Sequence, residues 1–399
     1  MHTARDPLEV ARSIADRFVA WQGPSGRPDP ARCPFVSDRG QFFPPNSHCP
    51  PAMAKALYLL FDRTGETRYK DAADRYAIFT FTFPRDPIAP FDDHQRAIWR
   101  SRTPDRPLVN NAASFQYGNA LDPAYRQFRR HNPDEDCFDA RADSLFDWLQ
   151  TRRTHCGHAY NLGYAPQDPS IPDWAFTDDL RMVGTGLVGY FESTHRPDVL
   201  DSALRLSDFY LRSYRPGAPD GAFVESLGTW CIGPWPTTVS VEHFEGIQMD
   251  QAGWGFSARG AVEFLTRLHA LLPADHPRAA LMHDRCVRSV RWQFSCQFEN
   301  GAVGMHARDD EWLGMTAAAL LAYDDVRQVG WVDAELASVL EPKVEQATIW
   351  LLDNATEEMI DAGGYRKVTG RSTPWPAENS VWLLAWTVEG LLRLQKPVA

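Results

Sequence analysis

The sequence lacks the short elements that mark several large enzyme classes. It contains no phosphate-cradling glycine loop ending in Gly-Lys-Ser or Gly-Lys-Thr, and no Gly-x-Ser-x-Gly nucleophile element. Such elements place backbone amides or an activated hydroxyl where phosphate chemistry or acyl transfer requires them. Their absence argues against nucleotide-dependent enzymes and against serine hydrolases.

Paired cysteines and long apolar runs are also missing. The seven cysteines are scattered, odd in number and without a Cys-x-x-Cys pair, which predicts reduced and mostly buried thiols. No apolar run has membrane-spanning length, and the opening residues read as an amphipathic helix instead of a signal segment, so we expect a cytoplasmic protein. His155–His158 (HCGH) has no partner cluster at ligand spacing, and we therefore expect no metal and no cofactor.

The charge and the aromatic content narrow the class of partner. Lys and Arg number 41 against 52 Asp and Glu, giving a net charge of −11. This charge argues against nucleic acids and anionic membrane surfaces as partners. With 14 Trp and 22 Phe, the chain carries aromatic side chains that fill a core or line a cleft, and stacking on sugar faces is a common use of the second kind. We expect an oligosaccharide substrate and a monomer or homodimer.

Apolar periodicity predicts helices in repeated pairs. Each unit has an apolar helix, a turn and an amphipathic helix, followed by a long polar and aromatic connection, and no convincing strand pattern occurs. The predicted pairs are 52–61 with 68–81, 111–119 with 136–150, 178–193 with 197–213, 251–271 with 277–293, 312–323 with 334–353, and 379–395 with 7–21. Because the first and last helices complete one pair, the pattern favours an all-α (α/α)6 toroid of about six hairpins, in a single domain spanning residues 1–399.

The connections that enter the inner helices carry most of the chemically informative side chains. In a closed ring these connections emerge at one end, so we expect them to build one concave, aromatic and polar-lined site. The predicted substrate-binding residues are His48, Asn111, Tyr117, His158, Tyr160, Trp230, Trp254, His306, Trp312, Arg366, Trp375 and Glu378.

Two adjacent carboxylates, Asp178 and Asp179, begin an apolar helical pattern with Thr177 as a plausible N-cap. Acids in a first helical turn are also favoured by the helix dipole alone. Hydrolysis at an anomeric centre, or hydration of an unsaturated sugar, requires a carboxyl acid/base and often a second carboxylate. We therefore predict Asp178, Asp179 and Asp250 as catalytic residues.

A second chemistry stays open at this point. β-Elimination from a uronic acid needs a cation or amide to neutralise the carboxylate, together with a Tyr or His base. The residues of those types are Asn110, Asn111, Tyr117, His158, Tyr160 and Arg366. The residues do not decide between the two sets.

A family resemblance is carried by four segments. WAFTDDLRM (residues 174–182) resembles the W-x-D-x-L-x-M segment of the unsaturated rhamnogalacturonyl and unsaturated glucuronyl hydrolases. Residues 251–277 are similar to the family's Gly-Asn-Gly-Trp helix, residues 316–333 resemble its next helix pair, and WLLAWTVEGLLRL resembles its closing helix. The resemblance implies an (α/α)6 barrel that hydrates a Δ4,5-unsaturated uronic acid, with Asp178 as general acid/base and Trp254 in the site. At the first connection this chain has Asn46, Ser47 and His48 where the family carries an Asp.

The function predicted from these observations is a glycoside hydrolase acting on uronic-acid-containing oligosaccharides through carboxylate catalysis. The alternative enzyme is a polysaccharide lyase on the same scaffold with a Tyr or His base. Further alternatives are a non-hydrolytic toroid, such as an epimerase or a terpenoid cyclase, and a non-catalytic helical-repeat scaffold.

Overall fold

A computed structural model describes residues 5–29, 31–35, 49–82, 117–150, 177–216, 220–231, 233, 238–239, 247–248, 252–306, 310–366 and 377–394. At positions 178–180, 238–239, 247–248, 377–379 and 394 it describes the backbone alone. The described chain is largely helical, which confirms the all-α class. The helices are α1 (Pro7–Trp21), α2 (Cys49–Thr64), α3 (Thr67–Thr82), π1 (Ala120–Tyr125), α4 (Arg126–His131), α5 (Asp139–Gln150), α6 (Thr177–Thr194), α7 (Pro197–Leu211), α8 (Gly255–Ala270), α9 (Ala279–Ser295), α10 (Leu313–Gln328), α11 (Ala334–Asn354), α12 (Glu357–Asp361) and α13 (Ala377–Leu394).

Six helical segments form a closed inner ring. α2 contacts the segment made of π1 and α4, which contacts α6, and α6 is followed by α8, α10 and α13; α13 then contacts α2 again. Each inner segment has an outer partner, in the same order α3, α5, α7, α9, α11 and α1. This is the predicted (α/α)6 toroid, and the first and last helices close it as predicted. None of the described helices combines the length and apolar composition needed to cross a membrane.

Local sequence explains why the helices begin where they do. α1 starts with Pro7, whose fixed φ suits the first turn, and the Asp6 side chain accepts a hydrogen bond from the Leu8 amide at 3.0 Å. α7 also starts with a proline, Pro197. These two helices begin at the residues predicted from the sequence.

The inner segment of the second repeat differs from its prediction. A helix ending at Asn119 was expected, but helical structure continues through π1 and α4 to His131. Asp122 has extended dihedral angles within this segment and Pro123 follows it, so the helix is interrupted and then resumes. A proline inside a helix removes a hydrogen bond and usually ends the helix, which is why the continuation was missed.

Helix α6 packs unusually close to its neighbours. Gly184, Gly186 and Gly189 have the spacing of a dinucleotide-binding glycine motif, but they lie inside a helix and not at a strand-to-helix turn. A Cβ at Gly186 would lie 2.4 Å from the Gly118 carbonyl oxygen, and one at Gly184 would lie 2.7 Å from the Phe264 ring. These glycines therefore serve helix contact and not phosphate binding.

Six short strands of the described chain lie in the connections between the helices. They form three antiparallel two-stranded ladders: β1 (Phe223–Val224) with β2 (Thr229–Trp230), β3 (Thr238–Val239) with β4 (Ile247–Gln248), and β5 (Glu311–Trp312) with β6 (Tyr365–Arg366). The last ladder joins the connection before α10 to the connection before α13, so it fixes two site-forming segments relative to each other.

A network of buried charges fills the centre of the ring. α8 carries Arg259, Glu263 and Arg267 at successive four-residue steps, so these side chains share one helix face. Their ion-pair partners lie on five other elements: Lys55 on α2, Asp122 in π1, Glu192 on α6, Asp325 on α10, and Glu389 on α13. One helix therefore makes charged contacts to every other member of the ring.

The geometry of this network is tight. Arg259 is fully buried, and its Nη1 lies 2.7 Å from Asp325 Oδ2. Lys55 Nζ lies 2.9 Å from both Glu263 and Glu389. Burial alone would raise the pKa of Glu263, but the charges of Lys55 and Arg259 outweigh it and hold that pKa well below its ordinary value. Burial alone would lower the pKa of Lys55, but the two carboxylates outweigh it and raise that pKa.

Removing the central guanidinium should strongly destabilise the fold. Arg259→Met removes one cation from the buried network and leaves Asp325 with Arg393 and Glu263 with Lys55 alone, and loss of one partner of a buried pair typically costs about 3–5 kcal/mol. Urea unfolding followed by circular dichroism measures this loss. The control is Arg327→Ala, which removes an exposed pair with Asp324 and should cost less than about 1 kcal/mol. Similar small losses for both variants would show that the central network is not stabilising.

The same network predicts acid sensitivity. Because the pKa of Glu263 is depressed in the folded protein, the unfolded chain binds this proton first as the pH falls. Its contribution is complete above the ordinary value of 4.5 and is lost as the pH falls toward the folded value. We expect the urea midpoint to decline below about pH 5, and to decline less steeply in Glu263→Gln. Equal slopes would assign the acid sensitivity to other carboxylates.

Candidate active site at the N-terminal ends of the inner helices

The beginnings of four inner helices meet in an aromatic and apolar group, here called the inner aromatic cluster. Its members are Met182, Trp254, Phe256, Met305, Trp312, Met315, Ala318, Leu321, Trp382, Leu383 and Trp386. Phe256 lies at its centre, with ring centroids 5.5 Å from Trp382 and 5.4 Å from Trp386. The charged network begins one turn further along α8 and α13. The cluster therefore lies nearer the ring end at which the long connections enter.

Two of the predicted tryptophans directly precede inner helices. Trp254 and Trp312 have extended dihedral angles at the N-cap positions of α8 and α10. The Trp254 ring centroid lies 6.5 Å from that of His306, and the Trp312 ring centroid lies 4.3 Å from that of Tyr365. Both tryptophans are almost completely buried. The predicted residues Trp254, His306 and Trp312 thus lie in or beside one cluster.

The β5–β6 ladder holds a further predicted residue, Arg366. Its Nη1 lies 3.1 Å from Glu311 Oε2, and its Nη2 donates to Asn354 Oδ1 at 2.9 Å. Beside it, the Tyr365 hydroxyl donates to Asp310 Oδ2 at 3.1 Å, and Asp310 is fully buried. Arg366 is itself exposed, so in this structure it ties two connections together at the rim of the site.

Two of the three predicted catalytic aspartates, Asp178 and Asp179, are the second and third residues of α6. The buried Tyr210 on α7 fixes the start of this helix, because its hydroxyl donates to the Thr177 carbonyl at 2.7 Å. Thr177 was expected to be the N-cap, but it is the first helical residue and its buried Oγ1 has no hydrogen-bond partner in the described part of the chain. The outer helix therefore holds the first turn through the backbone and not through a side-chain cap.

Arg181 follows one turn later and was not predicted from the sequence. It is 5% exposed, and its guanidinium carbon lies 4.2 Å from the Trp382 ring centroid and 5.2 Å from that of Trp386. Its side chain crosses α8 at Gly260, where an added Cβ would lie 1.6 Å from Arg181 Cδ. The absence of a side chain at Gly260 therefore allows a cation to adjoin the inner aromatic cluster.

Two predicted binding residues belong to the core instead. Trp230 is fully buried, its Nε1 donates to the Tyr210 carbonyl at 2.7 Å, and its ring packs edge-on against Phe223. Tyr117 is 1% exposed and stacks on Trp148 of the outer helix α5 at 4.0 Å. Both rings lie in the main hydrophobic core and outside the inner aromatic cluster, so the structure does not bring Trp230 and Tyr117 together with Trp254 and Trp312.

Other predicted residues are not placed by the structure. Asp178, Asp179 and Glu378 are described by backbone position alone, in the first turns of α6 and α13. His48, Asn111, His158, Tyr160, Asp250 and Trp375 lie outside the described residues. Within the described residues, no group of three or more His, Cys, Asp or Glu side chains could hold a metal ion. The histidines of HCGH are not among those residues.

The sequence contained a signal for some residues that were missed. Trp382 and Trp386 are four residues apart on α13, a spacing that puts both on one helix face. Arg181 lies within the segment that carries the family resemblance, and it is a cation in an otherwise apolar stretch of α6. Phe256 had no comparable signal, because α8 is apolar over much of its surface.

Comparison with known proteins supports the fold. No family profile and no curated protein matches the sequence. An unsaturated glucuronyl hydrolase from a Bacillus species, responsible for the degradation of glycosaminoglycan, is similar with a TM-score of 0.61 and 14% identity, covering 98% of this chain and 96% of that chain. A polysaccharide lyase matches with a TM-score of 0.59 and 14% identity, covering 98% and 99%.

The third similar structure is an α-1,6-mannanase from a Salegentibacter species. It is an inactive variant in which two adjacent aspartates are replaced by asparagine, in complex with α-1,6-mannotriose. Its TM-score is 0.60 at 11% identity, covering 97% of this chain and 100% of that chain. All three similarities extend over nearly the whole chain, and they confirm the (α/α)6 fold expected from the sequence.

The hydrogen bond between the Tyr210 hydroxyl and the start of α6 can be tested directly. Tyr210→Phe removes the hydroxyl that holds the Thr177 carbonyl, and the loss of one buried hydrogen bond should cost about 1–2 kcal/mol. Hydrogen exchange of the amides in the first turn of α6 should accelerate as well. The control is Tyr323→Phe, because the buried Tyr323 hydroxyl has no hydrogen-bond partner among the described residues. Unchanged exchange in Tyr210→Phe would mean that α7 does not hold this turn.

Proposed function

We propose that this chain is a glycoside hydrolase that acts on a uronic-acid-containing oligosaccharide, with Asp178 as the acid/base. The observation that supports it most is the position of the first turn of α6 beside the inner aromatic cluster. Position 178 precedes Arg181 by three residues and Met182 by four, so all three positions share one helix face. Met182 belongs to the cluster, and Arg181 stacks on its tryptophans. The site therefore combines aromatic rings with an acid on one helix.

The chemistry of this combination suits sugar hydrolysis. Aromatic rings bind the apolar faces of sugars. A carboxyl group beside the bound sugar can donate a proton to the substrate and then, as a carboxylate, activate water. Asp179 or Asp250 supplies the second carboxylate that many such reactions require.

The similar structures add support of two kinds. One similar protein is named as an unsaturated glucuronyl hydrolase, which is consistent with a uronate substrate. Another is an α-1,6-mannanase inactivated at two adjacent aspartates, and Asp178–Asp179 is also an adjacent pair. This pair favours a second candidate function, in which the chain hydrolyses a neutral α-mannoside with both aspartates.

A lyase is the alternative with different products. A polysaccharide lyase shares the fold, but of the Tyr and His residues predicted as a base, Tyr117 is buried in the core. Ultraviolet absorbance separates the reactions, because β-elimination creates the conjugated double bond of an unsaturated uronate and hydration destroys it.

We further infer a single catalytic domain over residues 1–399 and a cytoplasmic location. Ring closure by α1 and α13 supports one domain, because both ends of the described chain belong to the same ring. The six described cysteines are free thiols, and five of them are buried, which supports a reducing compartment.

The proposed acid can be tested by replacement. Asp178→Asn should lower turnover of an unsaturated glucuronyl disaccharide by about 100- to 10,000-fold, because an amide cannot transfer the proton. Loss of the substrate's ultraviolet absorbance measures the rate. Asp179→Asn identifies the second carboxylate, and Asp134→Asn is the matched control, since Asp134 is an exposed aspartate between α4 and α5.

The outcomes separate the candidates. A rise in absorbance on an intact uronate polysaccharide would establish the lyase. Turnover of α-1,6-mannotriose without turnover of any uronide would establish the mannosidase. Full activity of Asp178→Asn would remove Asp178 from the mechanism.

A further inference from the structure

A cavity of about 540 Å³ lies between α10, α11 and α13. Its residues on α10 and α13 come from the C-terminal halves of these two inner helices, whereas the candidate active site lies at their N-terminal ends. Small-molecule sites usually measure about 300–1,000 Å³, so the cavity has the size of such a site. The proposed function assigns no role to this end of the ring.

Part of the cavity wall is apolar. Leu320 and Leu321 on α10 and Val344 on α11 supply aliphatic side chains to it. Such a wall favours methylene groups, because their contact with it removes apolar surface from water. A ligand that fits this wall therefore carries a short aliphatic part.

The two arginines that line the cavity are already in contact with carboxylates of the protein. Arg327 Nη2 lies 2.6 Å from Asp324 Oδ1. Arg393 reaches two carboxylates, with Nη1 2.5 Å from Asp325 Oδ1 and Nη2 2.6 Å from Glu389 Oε1. An anionic ligand would have to compete with these carboxylates for either guanidinium.

The two acids that α11 contributes to the cavity have no such partners. Glu341 and Glu345 are exposed, and neither forms a hydrogen bond or a direct ion pair with the described residues. Arg327, which is hydrogen-bonded to Asp324, feels the charge of Glu341 without contacting it. Because the two glutamates lie four residues apart, they share one helix face and their like charges repel each other. A cation bound beside both carboxylates would relieve this repulsion.

Tyr323 adds a hydroxyl group that lacks a hydrogen-bond partner. The residue lines the cavity and is 6% exposed, and its hydroxyl forms no hydrogen bond within the part of the chain that the structure describes. Burial raises the pKa of this hydroxyl, and the charge of Glu341 raises it further, so the neutral hydroxyl lies on the acidic side of the cavity. Its oxygen can accept a hydrogen bond from an ammonium group.

We propose that this cavity is a second ligand site, which binds a small aliphatic amine in its protonated form. The ammonium group lies beside Glu341 and Glu345, and the methylene groups lie against Leu320 and Val344. A metal ion fits this site less well, because no described group of three or more His, Cys, Asp or Glu side chains is arranged to hold one. The site is independent of the proposed function, since no residue proposed for catalysis lines it.

Isothermal titration calorimetry with butane-1,4-diamine at constant ionic strength tests the proposal. Butane-1,4-diol keeps the chain length without the charge, and butanedioate reverses the charge. We expect the diamine to bind at least about tenfold more tightly than either, because hydrogen bonds to charged groups are stronger than neutral ones. The diamine should also raise the urea midpoint of the wild-type protein, since a ligand that binds only the folded state stabilises it.

Two double variants test whether the carboxylates of the cavity bind the amine. Glu341→Gln with Glu345→Gln should weaken diamine binding by about tenfold or more, to the level of the diol. The matched control is Glu299→Gln with Glu335→Gln, which changes the net charge equally at two exposed residues outside the cavity. Because salt screens distant exposed charges, the control should keep the diamine Kd within about threefold of the wild-type value. All four glutamates are exposed, and circular dichroism confirms that both variants are folded.

Three results would overturn the proposal. Equal affinities for the diamine and the diol, or no binding of the diamine, would mean that the cavity does not recognise an ammonium group. Tighter binding of butanedioate would assign the cavity to anions held by its arginines. Equal weakening in the two double variants would mean that the diamine associates with the net charge of −11 and not with this site.

Discussion

The balance of buried charge at the centre of the ring is the constraint on which this structure depends. A fully buried guanidinium such as that of Arg259 is tolerated only while Asp325 and Glu263 remain within contact distance. Since the partners lie on different inner helices, those helices cannot slide or rotate independently without separating charges. Apolar packing alone would permit many neighbouring arrangements, whereas paired charges favour one register. The ionic centre therefore fixes the frame in which the opposite end of the ring can carry a site.

The same inner helices carry both the inner aromatic cluster and the network of buried charges. On α8, Phe256 belongs to the inner aromatic cluster, and Arg259, one turn later, belongs to the charged network. On α13, Trp386 and Glu389 repeat this order. An aromatic layer thus separates the first turns of the inner helices from the charges deeper in the ring. This arrangement keeps the candidate site apart from the buried charges at the centre of the ring.

The fold could be predicted because helix signals are local. Proline at the first position of α1 and α7, and the spacing of apolar residues, locate helices without knowledge of their partners. The interrupted segment through Pro123 was missed because its continuation depends on tertiary packing. The charges of α8 are also misleading, since Arg259, Glu263 and Arg267 at four-residue steps are typical of a solvated helix face and yet lie at the centre of the ring.

Site residues were harder to predict for a related reason. Trp230 and Trp254 both occur in the same long connection, but one packs into the core and the other borders the site. The difference depends on which distant segment of the same chain each ring packs against, and the local sequence around each tryptophan does not indicate that segment. Arg181 was missed because the inner helices are apolar nearly all round, so their sequence does not reveal which face contacts the inner aromatic cluster.

The pairing of α1 with α13 also bears on the order of assembly. Arg17 on α1 reaches Asp361 at a sequence separation of 344 residues, and α1 packs along α13. Contacts between such distant segments are slow to form, because a long loop must close first. As the chain emerges from the ribosome, α2 can pack on α3 at once, but the faces of α1 and α2 that contact α13 have no partner until α13 is made. The growing chain must shield those two faces in the meantime.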